Sequence, residues 1–154
     1  MKTTSLTIII LLISSFNSFA CECLEYNLKE LDNISYEASD LIVIGNVVKT
    51  GANYQIEVIE VLNGNIREKL IYGTTISEDG IIESCSSVPF DKGKYLFYLN
   101  RTEKNGQPFY LYSGCLGTRK LNLDFYPVSL KTEKSKTELI TDTQNWINEL
   151  RKKK

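Results

Sequence analysis

The stretch LIVIGNVVKTGANYQIEVIEVLNG, residues 41–64, decides the fold. Its first nine residues are an apolar run rich in β-branched side chains, as in a buried strand, and Gly45 inside it marks a bulge or tight bend. After a polar break the period becomes two. Tyr54, Ile56 and Val58 alternate with Gln55 and Glu57, and the segment ends at the hairpin signal Asn63-Gly64. Two such strands need a sheet to complete them.

Working outward, further strands are predicted at residues 68–72, at 80–83 leading into Cys85, at KYLFYL (94–99) and at FYLYS (109–113). Turns are marked by Asp79-Gly80, Asp91-Lys92-Gly93 and Asn105-Gly106. Five or six short strands bent at glycines are too few for a large sandwich. They fit a small closed barrel, whose closure removes exposed edges, so the chain is read as mainly β. The aromatic stripe Tyr95, Phe97, Tyr110 and Tyr112 could stack bases on such a barrel. Basic residues are not interleaved with it and the formal net charge is −1, so the stripe is assigned to packing and no nucleic-acid partner is expected.

Two segments read as helices. LKELDNISYEASD (28–40) carries Leu28, Leu31, Ile34 or Tyr36, and Ala38 at loosely helical spacing, a short helix before the first strand. Beyond Pro127 the period changes: Leu139, Ile140, Thr143, Trp146, Ile147 and Leu150 form one apolar face, with Glu138, Asp142, Asn145, Glu149 and lysines opposite. A C-terminal amphipathic helix is therefore expected against the barrel wall, anchored by Trp146. The basic tail from Arg151 to Lys154 is read as solvating its end.

At the other terminus, Lys2, the apolar core from Ile8 to Ile13 and the small-residue pattern Ser18-Phe19-Ala20 form a secretory signal peptide, residues 1–20, cleaved after Ala20. No later run approaches the ~20 apolar residues of a membrane span. Residues 21–154 are then one secreted, extracellular domain, or a periplasmic or lipid-anchored surface form in a bacterium. A lipid on Cys21 is disfavoured, because Phe19 spoils the lipobox and an odd number of cysteines would remain. In a eukaryotic source, Asn33-Ile34-Ser35 and Asn100-Arg101-Thr102 are glycosylation acceptors.

Histidine is absent, which removes serine-histidine and cysteine-histidine catalysis and imidazole metal ligation together. Glu57, Glu60, Glu78 and Asp79 fall on strand faces and at a turn, where carboxylates solvate, so neither an enzyme nor a cofactor is expected. The four cysteines, Cys21, Cys23, Cys85 and Cys115, make an even set in an oxidising compartment, which predicts two disulfides. A four-thiolate zinc site would pair its ligands as C-x₂-C, and neither Cys85 nor Cys115 has such a neighbour. With one residue between them, Cys21 and Cys23 are poorly placed to bond to each other, which favours separate distant partners. The sequence by itself leaves three connectivities open.

The Cys21-Glu22-Cys23 start, ASDLIVIGNVV as first barrel strand, YQIEVIEVLNG as the next, Cys85, KGKYLFYL, and Cys115 after a last hairpin form one pattern. In it the chain resembles the netrin-like module, and within that the N-terminal domain of the tissue inhibitors of metalloproteinases, over nearly all of residues 21–154. The resemblance implies an oligonucleotide/oligosaccharide-binding type of closed barrel. It also implies the pairs Cys21–Cys85 and Cys23–Cys115, closing loops of roughly 65 and 93 residues worth ~4–5 kcal/mol each in the chain-entropy model.

The function it implies is inhibition of a zinc metalloendopeptidase by a monomeric chain that holds no metal of its own. A catalytic zinc has three protein ligands and one open position holding water. The free α-amine and the carbonyl of Cys21 would chelate the protease's zinc and displace that water, the amine losing its proton at modest cost from a pKa of ~7.7–8. Glu22 and Cys23 would lie in the inhibitory ridge. In the family the side chain after the first cysteine enters the specificity pocket, usually as a small hydroxyl residue; here it is Glu22. The chain also lacks the animal inhibitors' third disulfide and second cysteine-rich domain. A second reading is a non-inhibitory extracellular netrin-like module that binds a protein, a glycan or a cell surface, with Cys21 purely structural.

Overall fold

A computed structural model of the chain describes residues 22–76, 85–89, 91–122, 124 and 127–154. The strand predicted at 80–83 and the turn at Asp79-Gly80 lie outside the described residues. The elements in chain order are α1 (Leu28–Glu37), β1 (Leu41–Lys49), β2 (Gln55–Asn63), β3 (Leu70–Tyr72), β4 (Gly93–Lys104), β5 (Gln107–Leu111), β6 (Arg119–Lys120) and α2 (Lys136–Lys153). No helix among the described residues is long and apolar enough to cross a membrane.

The strands follow the order β3-β2-β1-β4-β5, with β6 paired to β4. The named ladders are antiparallel. A parallel bridge between Gly73 and Tyr110 brings β3 round to β5, and the sheet becomes a nearly closed, OB-like barrel. The β4–β5 hairpin is tight because Asn105 and Gly106 both take positive φ, 54° and 71°, the backbone twist that a two-residue turn between right-twisted strands requires.

β1 explains why its sequence is apolar without alternation. Leu41, Val43 and Val47 point into the barrel with Tyr54, Ile56, Phe97 and Tyr112. Ile42 and Ile44 point outward into a second cluster with Leu96, Trp146, Ile147 and Leu150. Both faces are covered, so both carry apolar residues. Gly45 sits at a register shift against β2, and a Cβ there would collide with Ile56 Cγ2. The bulge expected at Gly45 is therefore present, and Ile56 occupies the space that a side chain would need. The predicted aromatic stripe is core: Tyr95, Phe97, Tyr110 and Tyr112 are all buried in the barrel.

Asn63-Gly64 does not form the expected two-residue hairpin. Asn63 still pairs with Ile42 of β1, and the chain returns only at β3, which pairs with residues 55–57 at the far end of β2. The intervening part of β2 is covered by the end of α2. There Arg151 forks onto Glu60 (2.8 and 2.7 Å) and Lys154 Nζ donates to the Val61 carbonyl (3.1 Å).

Gly73 gives a stability prediction. A Cβ at this position would fall inside the ring of Tyr54, and Tyr54 is itself fixed by burial and by its O–H donating to the Tyr110 carbonyl (2.8 Å). Gly73→Ala should therefore lower the unfolding free energy by about 1–3 kcal/mol, the usual result of overpacking. Urea denaturation of the two proteins measures it.

Both helices begin with reciprocal capping boxes, Asn27 with Glu30 and Ser135 with Glu138. α2 buries Leu139, Thr143, Trp146, Ile147 and Leu150, the predicted face with one exception, since Ile140 is 39% exposed. α1 departs further. Its buried residues are Leu28, Leu31, Asp32 and Ser35, while Ile34 and Ala38 are exposed. The spacing is helical, but two of its members are polar, and one is a carboxylate.

Candidate functional site

That carboxylate is the start of a buried network that fixes the N-terminal end of the domain. Asp32 receives a two-pronged hydrogen bond from Arg119, Nη1 to Oδ1 at 2.6 Å and Nη2 to Oδ2 at 3.0 Å. Arg119 is 1% exposed, and two more of its donors go to the Gly117 carbonyl (2.8 Å) and to Thr143 Oγ1 of α2 (3.0 Å). Tyr98 of β4 donates to Asp32 Oδ1 (2.8 Å) and accepts from Trp146 Nε1 (2.7 Å). Burial by itself would pull the Arg119 pKa down; Asp32 and Tyr98 outweigh it, leaving the guanidinium above its ordinary value and charged. Burial, reinforced by the charge of Asp32, holds the Tyr98 phenol well above its ordinary value, so it stays a donor. One ion pair thereby ties α1, β4, β6 and α2 together.

The chain just before α1 is held by three further devices. Cys23 is bonded to Cys115, with Cα atoms 5.2 Å apart. Tyr26 forms a parallel bridge with Leu130: its N–H donates to the Ser129 carbonyl (2.8 Å) and its carbonyl accepts from Lys131 N–H (2.9 Å). Ser129, almost fully buried, donates its hydroxyl to the Cys115 carbonyl (2.8 Å). Across the rim, Glu25 accepts from Lys131 Nζ (2.8 Å). This bond, and the carboxylate charge, raise the lysine pKa.

Cys85 reaches the same end of the barrel. Its carbonyl accepts from Gly114 N–H (3.0 Å), one residue before Cys115, and Ser86 bridges Ser113. Cys85 is also disulfide-bonded, and Cys21 lies outside the described residues. Residues distant in the chain thus converge: Cys23, Cys85 and Cys115 surround one tip.

Of the residues singled out from the sequence, Glu22 is exposed on this tip and Cys23 is half-buried beneath it. Leu24 is 69% exposed and Val128, from the strip that backs the tip, is 78% exposed. Of the carboxylates read as solvating, Glu57 is exposed, Glu60 is instead half-buried and paired with Arg151, and Glu78 and Asp79 lie outside the described residues. No cluster of three or more metal-ligating side chains occurs among the described residues.

Sequence reasoning missed the backing strip at residues 127–131 and the Asp32–Arg119 pair. The strip has no periodicity to announce it. The pair did leave a trace, since Leu28, Leu31, Asp32 and Ser35 follow i, i+3, i+4, i+7. A charge on that face demands a buried partner.

Comparisons of the chain with known families, characterised proteins and solved structures give no match.

Proposed function

We propose that the mature chain, beginning at Cys21 after removal of the leader, is an exported inhibitor of a zinc metalloendopeptidase. The observation that supports this best is the anchoring of the tip. Glu22 and Leu24 are exposed on either side of a cysteine tied to the barrel by a disulfide, and a backbone bridge follows three residues later at Tyr26. A segment held this way loses little conformational freedom on docking, and preorganisation raises affinity by reducing that cost.

In this reading a Cys21–Cys85 bond completes the clamp, and the α-amine and carbonyl of Cys21 take the open coordination position of the protease's zinc. The amine must shed its proton to bind, so potency falls as pH drops below its pKa. Glu22 sets the selectivity. A carboxylate entering an apolar pocket carries a desolvation penalty unless a cation meets it. The preferred target is therefore an endopeptidase whose specificity pocket carries a lysine or arginine.

The test is a titration of the mature protein against zinc endopeptidases with apolar and with basic pockets, before and after cyanate carbamylation of the α-amine near pH 6. Stoichiometric inhibition, strongest toward the basic pockets and abolished by carbamylation, is expected. No inhibition of any member, or equal inhibition after carbamylation, refutes the reading.

A further inference from the structure

A cleft of about 450 Å³ lies between α1 and α2, and its walls come from the two helices and the chain just before each. The helices run the same way. Leu28, at the start of α1, packs with Leu139 near the start of α2. Tyr36, near the end of α1, meets the Trp146 ring edge-on and carries the Lys153 ammonium of the last turn of α2 over its own ring (4.6 Å to the centroid). One end of the cleft is therefore built by the early turns of both helices and the other by their later turns. On α2 the lining residues Asp142, Asn145, Trp146 and Glu149 follow i, i+3, i+4, i+7, so they share one face.

The floor of the cleft is Leu28, Trp146 and Asp32, all less than a tenth exposed. Two of the lining carboxylates are already matched. Arg119 holds Asp32, and Lys134 Nζ donates to Asp142 Oδ2 (2.6 Å). Three exposed lining side chains make no hydrogen bond or ion pair to a described residue: Lys29 in the first turn of α1, Glu149 in the later turns of α2, and Asn145 one turn before Glu149. An ammonium, a carboxamide and a carboxylate thus stand ready around an apolar floor, with the two charges on opposite helices.

We infer that this cleft binds a short zwitterionic peptide, about two or three residues long with both ends free. Its ammonium pairs with Glu149 and its carboxylate with Lys29. The Asn145 carboxamide, which holds an acceptor and two donors in one plane, matches a peptide group, and an apolar side chain lies on Leu28 and the Trp146 ring. A wholly anionic ligand would face Asp32, Asp142 and Glu149, and a wholly cationic one Lys29 and Lys134. A ligand with one charge of each sign at its two ends avoids both conflicts. The volume lies in the range of about 300–1,000 Å³ usual for small-molecule sites. Nothing in this inference uses the Cys21 amine, so it stands apart from the inhibitory tip.

The experiment is an amide-resolved NMR titration of the mature protein with leucyl-leucine, phenylalanyl-leucine and leucyl-valyl-leucine, each also as its N-acetyl form and as its C-terminal amide. The fluorescence of Trp146, the chain's single tryptophan, follows the same titrations. Saturable shifts confined to residues 27–32, 132–134 and 142–149, with a change in the fluorescence, are expected for at least one free-ended peptide. Blocking either end should weaken its binding by about five-fold or more, as loss of a charge-assisted hydrogen bond does. Glu149→Gln should weaken the free peptide by a similar factor and leave the N-acetyl form unaffected; Lys29→Gln should do the same for the free peptide and its amide. Both residues are exposed, so the unfolding midpoints should stay unchanged. No saturable shift with any peptide, shifts elsewhere, blocked peptides binding as tightly as free ones, or equal losses for the free and acetylated peptides in Glu149→Gln would overturn the inference.

Discussion

Arg119→Met should destabilise the domain by about 3–5 kcal/mol, the usual result of leaving one member of a buried ion pair alone. Among the described residues Asp32 would keep only the Tyr98 hydroxyl as a donor, in a site 2% exposed to solvent. Since small domains are stable by only ~5–15 kcal/mol, the loss is a large share of the total. A fall of about 10–20 °C in the unfolding midpoint is expected. The double variant Asp32→Leu, Arg119→Met should recover part of the loss, because no charge is then buried unpaired. Recovery stays incomplete because Tyr98 loses its acceptor. A calorimetric double-mutant cycle measures the coupling; additive losses would show that the two residues contribute separately.

The second large effect is expected from the disulfide. Cys23 and Cys115 are separated by 92 residues, and opening a loop of that length returns about 4–5 kcal/mol of chain entropy to the unfolded state. The Cys23→Ser, Cys115→Ser variant should lose stability of that order in urea. It should also lose order locally, since the Tyr26–Leu130 bridge would then hold the tip unaided. Hydrogen exchange at the Tyr26 and Lys131 amides, both bonded in the bridge, should accelerate more than exchange in β1. Uniform acceleration would mean that the disulfide stabilises the whole fold without fixing the tip.

Much of the barrel was legible because its signals are local. β1 declares itself by an apolar run without alternation that both cores require, β2 by alternation, the β4–β5 hairpin by Asn105-Gly106, and α2 by a stripe that runs from Leu139 to Leu150. What escaped depends on partners far away in the chain. Arg119 and Asp32 are 87 positions apart, and neither alone distinguishes a buried ion pair from two solvated charges. β6 is two residues long, too short for any periodicity to mark. Asn63-Gly64 shows the reverse error: the dipeptide permits a tight turn, but the end of α2 already covers the strand that would have continued it.

The tip was legible only in part. The spacing led to the expectation of a distant partner for Cys23, which Cys115 supplies, but it could not show Ser129 and Leu130 pairing with the chain at Tyr26. That backing strip stiffens the tip through its pairing with Tyr26, so the tip is built from residues near both ends of the domain.

The most direct measurement is a comparison of two proteins, one beginning at Cys21 and one with a single alanine placed before it, each titrated into the zinc endopeptidase that the panel identifies. Adding a residue removes the α-amine from the Cys21 chelate and leaves the barrel, the Cys23–Cys115 bond and the Tyr26 bridge untouched. The account predicts full inhibition by the first protein and none by the second, with identical unfolding curves. Equal inhibition by both would contradict it.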